Sequence, residues 1–168
     1  MGEFNRRRGD KFNDEVADVF AQNPRLIVRS RVKKIGHLRL RGAKGDLGDI
    51  DVLVADQRRK RLMPVECKDL ALARTPYEMS GEILNLFRGT QGKKSIVELH
   101  QQRVQWVREH LSEVLDWLGI SAGQRWKVEP LIVVDRDLFT PYLQSSPIPI
   151  VPLEELKRMI TNKRSSLR

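Results

Sequence analysis

The sequence predicts a single α/β domain whose mixed central sheet is flanked by helices. Its 168 residues are the size of one ordinary domain, and a hydrophobic content of 40% is sufficient for one packed core. Segments with helical and with strand periodicity follow each other in the order helix, strand, hairpin, helices, strand, which is typical of a mixed sheet covered by helices. We expect the domain to span 12–162, between a flexible basic arm at 1–11 and a basic tail at 163–168.

The first predicted elements are a short helix and a strand with one basic face. Asn13 is a candidate N-cap, and acidic residues follow it in the first turn of a helix over 14–21. Between positions 26 and 35 apolar residues alternate with basic ones, which predicts a strand. Three glycines between positions 42 and 48 then break the chain.

A hairpin follows, with strands over 50–54 and 62–68. If its polar turn is centred between Arg58 and Arg59, Asp51 lies directly opposite Glu66. Lys68 shares a strand face with Glu66, because alternate residues of a strand point to the same side. The sequence therefore predicts two carboxylates and one lysine on one face of a hairpin.

Two helices and a central strand are predicted after the hairpin. Thr75, Pro76 and Glu78 form a capping box that starts a helix reaching about Arg88. An apolar stripe predicts one long helix over 95–118. Further along the chain we expect a strand over 126–134, a short edge strand over 148–151 and an amphipathic helix over 153–160.

The charge of the chain indicates a polyanionic partner, which we expect to be DNA. Lys and Arg number 31 against 22 Asp and Glu, so the net charge is +9. The basic residues expected to contact nucleic acid are Arg29, Arg31, Lys33, Arg39, Arg41 and Lys44. A single cysteine excludes an intramolecular disulfide and a cysteine-based zinc cluster, which fits a cytoplasmic protein, and no apolar stretch is long enough to predict a membrane span.

The facing carboxylates indicate a divalent metal. Two such groups repel each other unless they are protonated or bridged by a cation, and Mg²⁺ or Mn²⁺ suits carboxylate ligands. Lys68 can orient or deprotonate the attacking water and neutralise charge on a phosphate in the transition state. Asp49 lies two residues before Asp51 and is a rival for the aspartate role.

The segments Gly48-Asp49-Ile50-Asp51-Val52-Leu53-Val54 and Val65-Glu66-Cys67-Lys68 resemble the PD-(D/E)XK superfamily of restriction-endonuclease-like nucleases, in the neighbourhood of small Holliday-junction-resolvase-like endonucleases. The resemblance implies an α-β-β-β-α-β core, a metal bound by Asp51, Glu66 and the backbone carbonyl of Cys67, and Lys68 acting on the water. Ile50 stands where the motif has proline. The family also implies a further acid, Glu15, and a polar residue on the long helix that reaches the site, for which Gln101, Gln102, Arg103 and His100 are open alternatives.

These observations predict a metal-dependent endonuclease that hydrolyses phosphodiester bonds in DNA. The alternative is an inactive nuclease-fold module that binds DNA within a larger assembly, and composition does not separate the two. An RNA-binding protein is less favoured because the aromatic content is 6% and most aromatic residues have core-like positions. A homodimer, or association with other protein domains, stays open because nothing in the sequence decides it.

Overall fold

The computed structural model describes residues 2–43, 45–121, 123 and 125–165, with only the backbone described for 2–7 and 162–165. The helices are α1 Gly2–Ala21, α2 Pro76–Ile83 with a following π-helical turn Leu84–Arg88, α3 Ile96–Glu109, α4 Leu111–Trp117, α5 Thr140–Leu143 and α6 Leu153–Ser165. The strands are β1 Leu26–Val32, β2 Lys34–Ile35, β3 Leu38–Arg39, β4 Arg41–Gly42, β5 Gly45–Asp46, β6 Ile50–Asp56, β7 Arg61–Lys68, β8 Lys127–Val128, β9 Leu131–Val134 and β10 Ile150–Pro152.

The central sheet is mixed and has the strand order β1-β6-β7-β9-β10, with β8 paired to the start of β7. Strands β1, β6 and β7 are antiparallel, β9 is parallel to β7, and β10 is parallel to β9. Strand β10 lies at one edge of the sheet, as the prolines in and beside it predict. The prediction of a mixed sheet flanked by helices is therefore confirmed.

Helices cover both faces of this sheet. Helices α1 and α6 pack over one face, where Phe20 and Leu156 contact Val65 and its neighbours. Helices α3 and α4 pack over the other, where Val107 and Leu115 belong to the same core as Leu53 and Leu62 of the hairpin. A third, smaller core joins Leu86 of the π-helical turn and Val97 of α3 to Ile132 and Val134 of β9.

The hairpin has the register that the sequence predicts. Its ladder pairs Val52 with Val65 and continues to Asp56 opposite Arg61, which centres the turn between Arg58 and Arg59. One step beyond the ladder, the same register places Asp51 opposite Glu66. The capping box that starts α2 is also confirmed, because the Thr75 side chain accepts from the Glu78 N–H while the Glu78 side chain accepts from the Thr75 N–H.

The predicted start of the first helix is wrong. Helix α1 begins at Gly2, so residues 2–11, predicted as a flexible arm, are helical and Asn13 is not an N-cap. Two contacts explain why this part is held: Phe12 is buried in the core, and Arg8 forms an ion pair with Asp69 after β7.

Two other predicted elements are interrupted. The long helix breaks at His110, whose φ of −114° and ψ of 32° are not helical, and whose ring stacks on Trp106 with 4.2 Å between centroids. The predicted strand over 126–134 is split into β8 and β9, because Pro130 has no N–H for a ladder hydrogen bond. In the part of the chain that is described, no helix is both long and apolar enough to cross a membrane.

Candidate active site

Asp51 lies where the regular pairing of β1 and β6 is interrupted. Arg31, which would face it, has a left-handed φ of 51° and is missing from the otherwise continuous register. The Asp51 carboxylate instead accepts hydrogen bonds from β7 and α1. Its Oδ2 accepts from the backbone N–H of Cys67 at 2.8 Å, and its Oδ1 accepts from Nδ2 of Asn13 at 3.2 Å. Asp51 is thereby fixed between β7 and α1.

Glu66 is the buried centre of the site, with 3% of its surface exposed. Its Oε1 lies 2.7 Å from Nζ of Lys68, which is two residues further along β7. Its Oε2 lies 2.5 Å from Nη1 of Arg103 on α3. Arg103 is itself held by a 2.7 Å hydrogen bond from its Nε to the carbonyl oxygen of Leu47. A buried carboxylate is thus compensated by two cations from different elements.

The two carboxyl groups have opposite pKa shifts. Burial, with the charge of Glu66 as second cause, raises the pKa of Asp51 to about 6, against the weaker influence of Lys68 and the Cys67 N–H. Burial also acts to raise the pKa of Glu66, but the charges of Lys68 and Arg103 outweigh it and the pKa is lowered. Glu66 is therefore ionised at neutral pH, and of the two carboxyl groups Asp51 titrates closer to neutral pH.

Lys68 is a cation in this arrangement. Burial acts to lower its pKa, but the charges of Glu66 and Asp51 outweigh burial and the pKa is raised. The sequence predicts that Lys68 either orients the attacking water or deprotonates it. Because the lysine is protonated, the first role is favoured, together with neutralisation of charge on the phosphate.

His100 lies beneath Glu66 and is completely buried. Its Nδ1 is 3.9 Å from Oε2 of Glu66, and neither ring nitrogen makes a hydrogen bond of standard geometry. Burial, opposed by Glu66 and by the nearby carbonyls of Pro64 and Leu131, lowers the pKa of His100 to about 4. The ring is therefore neutral at neutral pH.

The structure brings some predicted site residues together and leaves others apart. Asp51, Glu66, Lys68 and the backbone of Cys67 are gathered, while the Cys67 thiol is buried in the core on the opposite face. Glu15 is exposed on α1 and pairs with Lys157 of α6 at 3.3 Å. Its predicted place beside the two carboxylates is not observed.

Two further candidates, Gln101 and Asp49, also lie outside the group of side chains around Glu66. Gln101 is exposed on the outer side of α3, where it lines a shallow cavity with Pro130 and Ile148. Asp49, the rival of Asp51, is partly exposed and lies 3.8 Å from Nζ of Lys33. Neither side chain has a contact with Glu66 among the interactions of the described residues.

Sequence reasoning missed Asn13 and left Arg103 undecided. Asn13 follows the buried Phe12 and precedes the buried Val16 by three residues. If the first helix is taken to extend past Asn13, this spacing places the residue on the inner side of α1. Arg103 precedes Val104 within the apolar stripe of α3, and a basic residue at the rim of such a stripe needs a buried partner.

Two of the basic residues predicted to contact nucleic acid form ion pairs with acidic side chains. Arg31 is 2.7 Å from Asp14, and Lys33 is 3.8 Å from Asp49, so both are partly neutralised. Arg29, Arg39 and Arg41 are exposed on β1, β3 and β4. Lys44 lies outside the described residues.

The donor set at Asp51 and Glu66 fits a magnesium ion. Within the described ranges, no three side chains of His, Cys, Asp or Glu form a group that could hold a metal. Mg²⁺ does not require three, because it binds through one or two carboxylates and keeps several waters. Each Glu66 oxygen uses one acceptor position on Lys68 or Arg103, and an ionised carboxylate has about four such positions. Acceptor capacity for a cation therefore remains.

The fold and this site define a mixed α/β protein in which two carboxylates and a lysine of a hairpin cluster with an arginine of α3. Residues 2–129 match the family described as Upx-like anti-phage proteins, and the chain belongs to this family. No curated protein and no solved structure shows a significant match to the chain.

Proposed function

We propose that this chain is a metal-dependent DNA endonuclease that acts in defence against phage. The observation that carries the proposal is the convergence of Asp51, Glu66 and Lys68, with Lys68 Nζ 2.7 Å from Glu66 Oε1. Membership in an anti-phage family supports the biological context, since destruction of invading DNA is one means of defence.

The topology supports the proposed kinship with restriction-endonuclease-like proteins. The order α1, β1, β6, β7, α3, β9 corresponds to the α-β-β-β-α-β core expected from the motif. The acid pair also lies on the second and third strands of the antiparallel meander, where that motif places it.

Asp51 and Glu66, with the backbone carbonyl of Cys67, would hold Mg²⁺ or Mn²⁺. When bound there, the ion supplies a water of lowered pKa and a Lewis acid for a phosphodiester oxygen. The pKa of Asp51 is raised by burial and by the charge of Glu66, and a divalent cation would offset both by stabilising the ionised carboxylate.

The residues of the chain supply positioning and charge. Lys68 presents an ammonium group beside Glu66, where it orients the attacking water and offsets negative charge that develops on the phosphate. Asn13 holds the Asp51 carboxylate in place through its 3.2 Å hydrogen bond. Arg103 holds Glu66 in place from the side of α3. The exposed Arg29, Arg39 and Arg41 suit contacts with the DNA backbone, which are independent of sequence.

The experiment is incubation of the full chain with supercoiled, linear and branched DNA in Mg²⁺, in Mn²⁺ and in EDTA. We expect cleavage of at least one substrate in the presence of either metal and none in EDTA. Asp51→Asn should abolish cleavage, whereas Glu15→Gln, which changes an exposed acid on α1, should not. Binding of DNA without cleavage under every condition would overturn the proposal in favour of an inactive DNA-binding module.

A further inference from the structure

Two short helices carry an unusual concentration of exposed aromatic and aliphatic side chains. Tyr77, Phe139 and Tyr142 are 88%, 60% and 82% exposed, respectively. The members of this set, which we term the aromatic surface, are Tyr77 and Leu84 on α2 and its π-helical turn, and Phe139, Tyr142 and Leu143 at α5. Their spacings of seven, three and four residues place them on one side of each helix.

The aromatic surface is a fixed part of the fold. The Thr140 hydroxyl donates to the Glu82 carboxylate, which joins α5 to α2. Nη2 of Arg88 donates to Oε1 of Gln144 at 3.4 Å and forms a second connection. Leu86 of the π-helical turn after α2 and Leu138, two residues before α5, are buried in the third core. The exposed rings therefore project from a packed base.

The chain segments that lead to this surface start beside Lys68. The backbone N–H of Asp135, directly after β9, donates to the carbonyl oxygen of Lys68 at 3.2 Å, so the segments leading to α2 and α5 leave the sheet side by side. Val134 pairs with Lys68 in the parallel register and packs in the third core with Leu138. Residues that are paired in this way point to the same face.

From this placement we infer that the aromatic surface binds single-stranded DNA, whose unpaired bases stack on Tyr77, Phe139 and Tyr142 while the backbone continues toward Lys68. Stacking needs exposed rings and is tolerant of sequence. Exposed Arg74 precedes Tyr77 by three residues and exposed Arg88 follows Leu84 by four, and both supply charge for the phosphates, while Glu78 is engaged by the N–H groups of Arg74 and Thr75. The inference deepens the proposed function, on which it rests, by assigning it a substrate with unpaired bases.

The test is the fluorescence anisotropy of a labelled oligodeoxynucleotide, single-stranded or annealed to its complement, titrated with the full chain in EDTA. Loss of one stacking ring should weaken single-strand binding by about 5- to 150-fold. We expect Tyr77→Ser, Phe139→Ser and Tyr142→Ser each to do so, with less than about a twofold effect on the duplex, whose bases do not stack on the rings. Tyr142→Phe keeps the ring and should keep the affinity.

Trp117→Ser provides a matched control, because Trp117 is also an exposed aromatic residue but lies on α4. It should leave single-strand affinity unchanged. Unchanged affinity in all three serine variants, or equal weakening for single strand and duplex, would overturn the inference. If the same variants instead shift the sedimentation coefficient of the protein alone with no effect on DNA, the surface mediates self-association and the inference is wrong.

Binding in EDTA does not depend on hydrolysis, so the inferred single-strand binding and the proposed nuclease activity can each be overturned without the other. A chain that binds single strands through the rings but cleaves no DNA would retain this inference and lose the proposed nuclease. A chain that cleaves DNA in Mg²⁺ with wild-type single-strand affinity in the serine variants would lose only this inference.

Discussion

Arg103 and Glu66 form a buried ion pair, with Nη1 of Arg103 2.5 Å from Oε2 of Glu66. The pair joins α3 to the third strand of the meander, and it lies next to the neutral ring of His100. Because Lys68 holds the other oxygen of Glu66, each cation compensates a different side of one buried charge.

Removing Arg103 should destabilise the fold strongly. Arg103→Met leaves Glu66 with one cation in a buried setting, and breaking such a pair from one side costs about 3–5 kcal/mol. Urea unfolding measures the loss, and Arg108→Met on the exposed side of α3 is the control. In the double variant Glu66→Gln/Arg103→Met the loss should be well below the sum of the two single effects, and simple additivity would contradict the coupling.

Asp51→Asn should stabilise the metal-free protein at neutral pH. An acid whose pKa is raised from 3.8 to about 6 binds protons more strongly in the folded state, so the wild type loses stability as the pH rises through this window. Relative to the wild type, the variant should gain up to about 3 kcal/mol above pH 6 and converge with it below roughly pH 4. Thermal or urea unfolding in EDTA across pH 4–7 checks this, and a destabilised variant at pH 7 would be the contrary result.

His100 should make stability depend on pH in the opposite direction. Its pKa falls from 6.5 to about 4 on folding, so the unfolded chain binds more protons between these values and stability is lost as the pH decreases from 6.5. His100→Leu removes the titrating group at similar volume. The acid side of the stability profile should flatten by no more than about 3 kcal/mol. An unaltered slope would mean that His100 is not a buried neutral ring.

Magnesium should stabilise the wild-type fold. A ligand that binds only the native state at 100 times its Kd adds about 2.7 kcal/mol, which for a chain of this size raises Tm by roughly 5–10 °C. The shift should disappear in Asp51→Asn and persist in Asp49→Asn, which changes the partly exposed neighbouring acid. The reverse pattern in a thermal-shift assay would assign the aspartate role to Asp49.

The sequence predicts those parts of the site that depend on local geometry. The positions of Asp51, Glu66 and Lys68 follow from the turn at Arg58 and Arg59 and from the period of a strand, and the observed ladder has this register. The capping box at Thr75 is equally local. Such features need no knowledge of how distant elements pack.

Contacts between distant elements could not be predicted in the same way. Asn13 is of a type that favours an N-cap, but it lies inside α1, and from there its side chain donates a hydrogen bond to Asp51. Glu15 instead pairs with Lys157, which is 142 positions away in the sequence. The exposure of Tyr77 and Tyr142 depends on which side of α2 and α5 the third core covers, and aromatic residues are otherwise expected to be buried.

The rate of DNA cleavage by Lys68→Met tests the central claim most directly. This variant removes the ammonium group beside Glu66, and Lys157→Met on α6 is its matched control. With the DNA substrate that the wild type cleaves, under single-turnover conditions in Mg²⁺, we expect Lys68→Met to be slower by at least about 100-fold, while Lys157→Met keeps the wild-type rate. Cleavage by Lys68→Met at the wild-type rate would show that the hairpin site is not the catalytic centre.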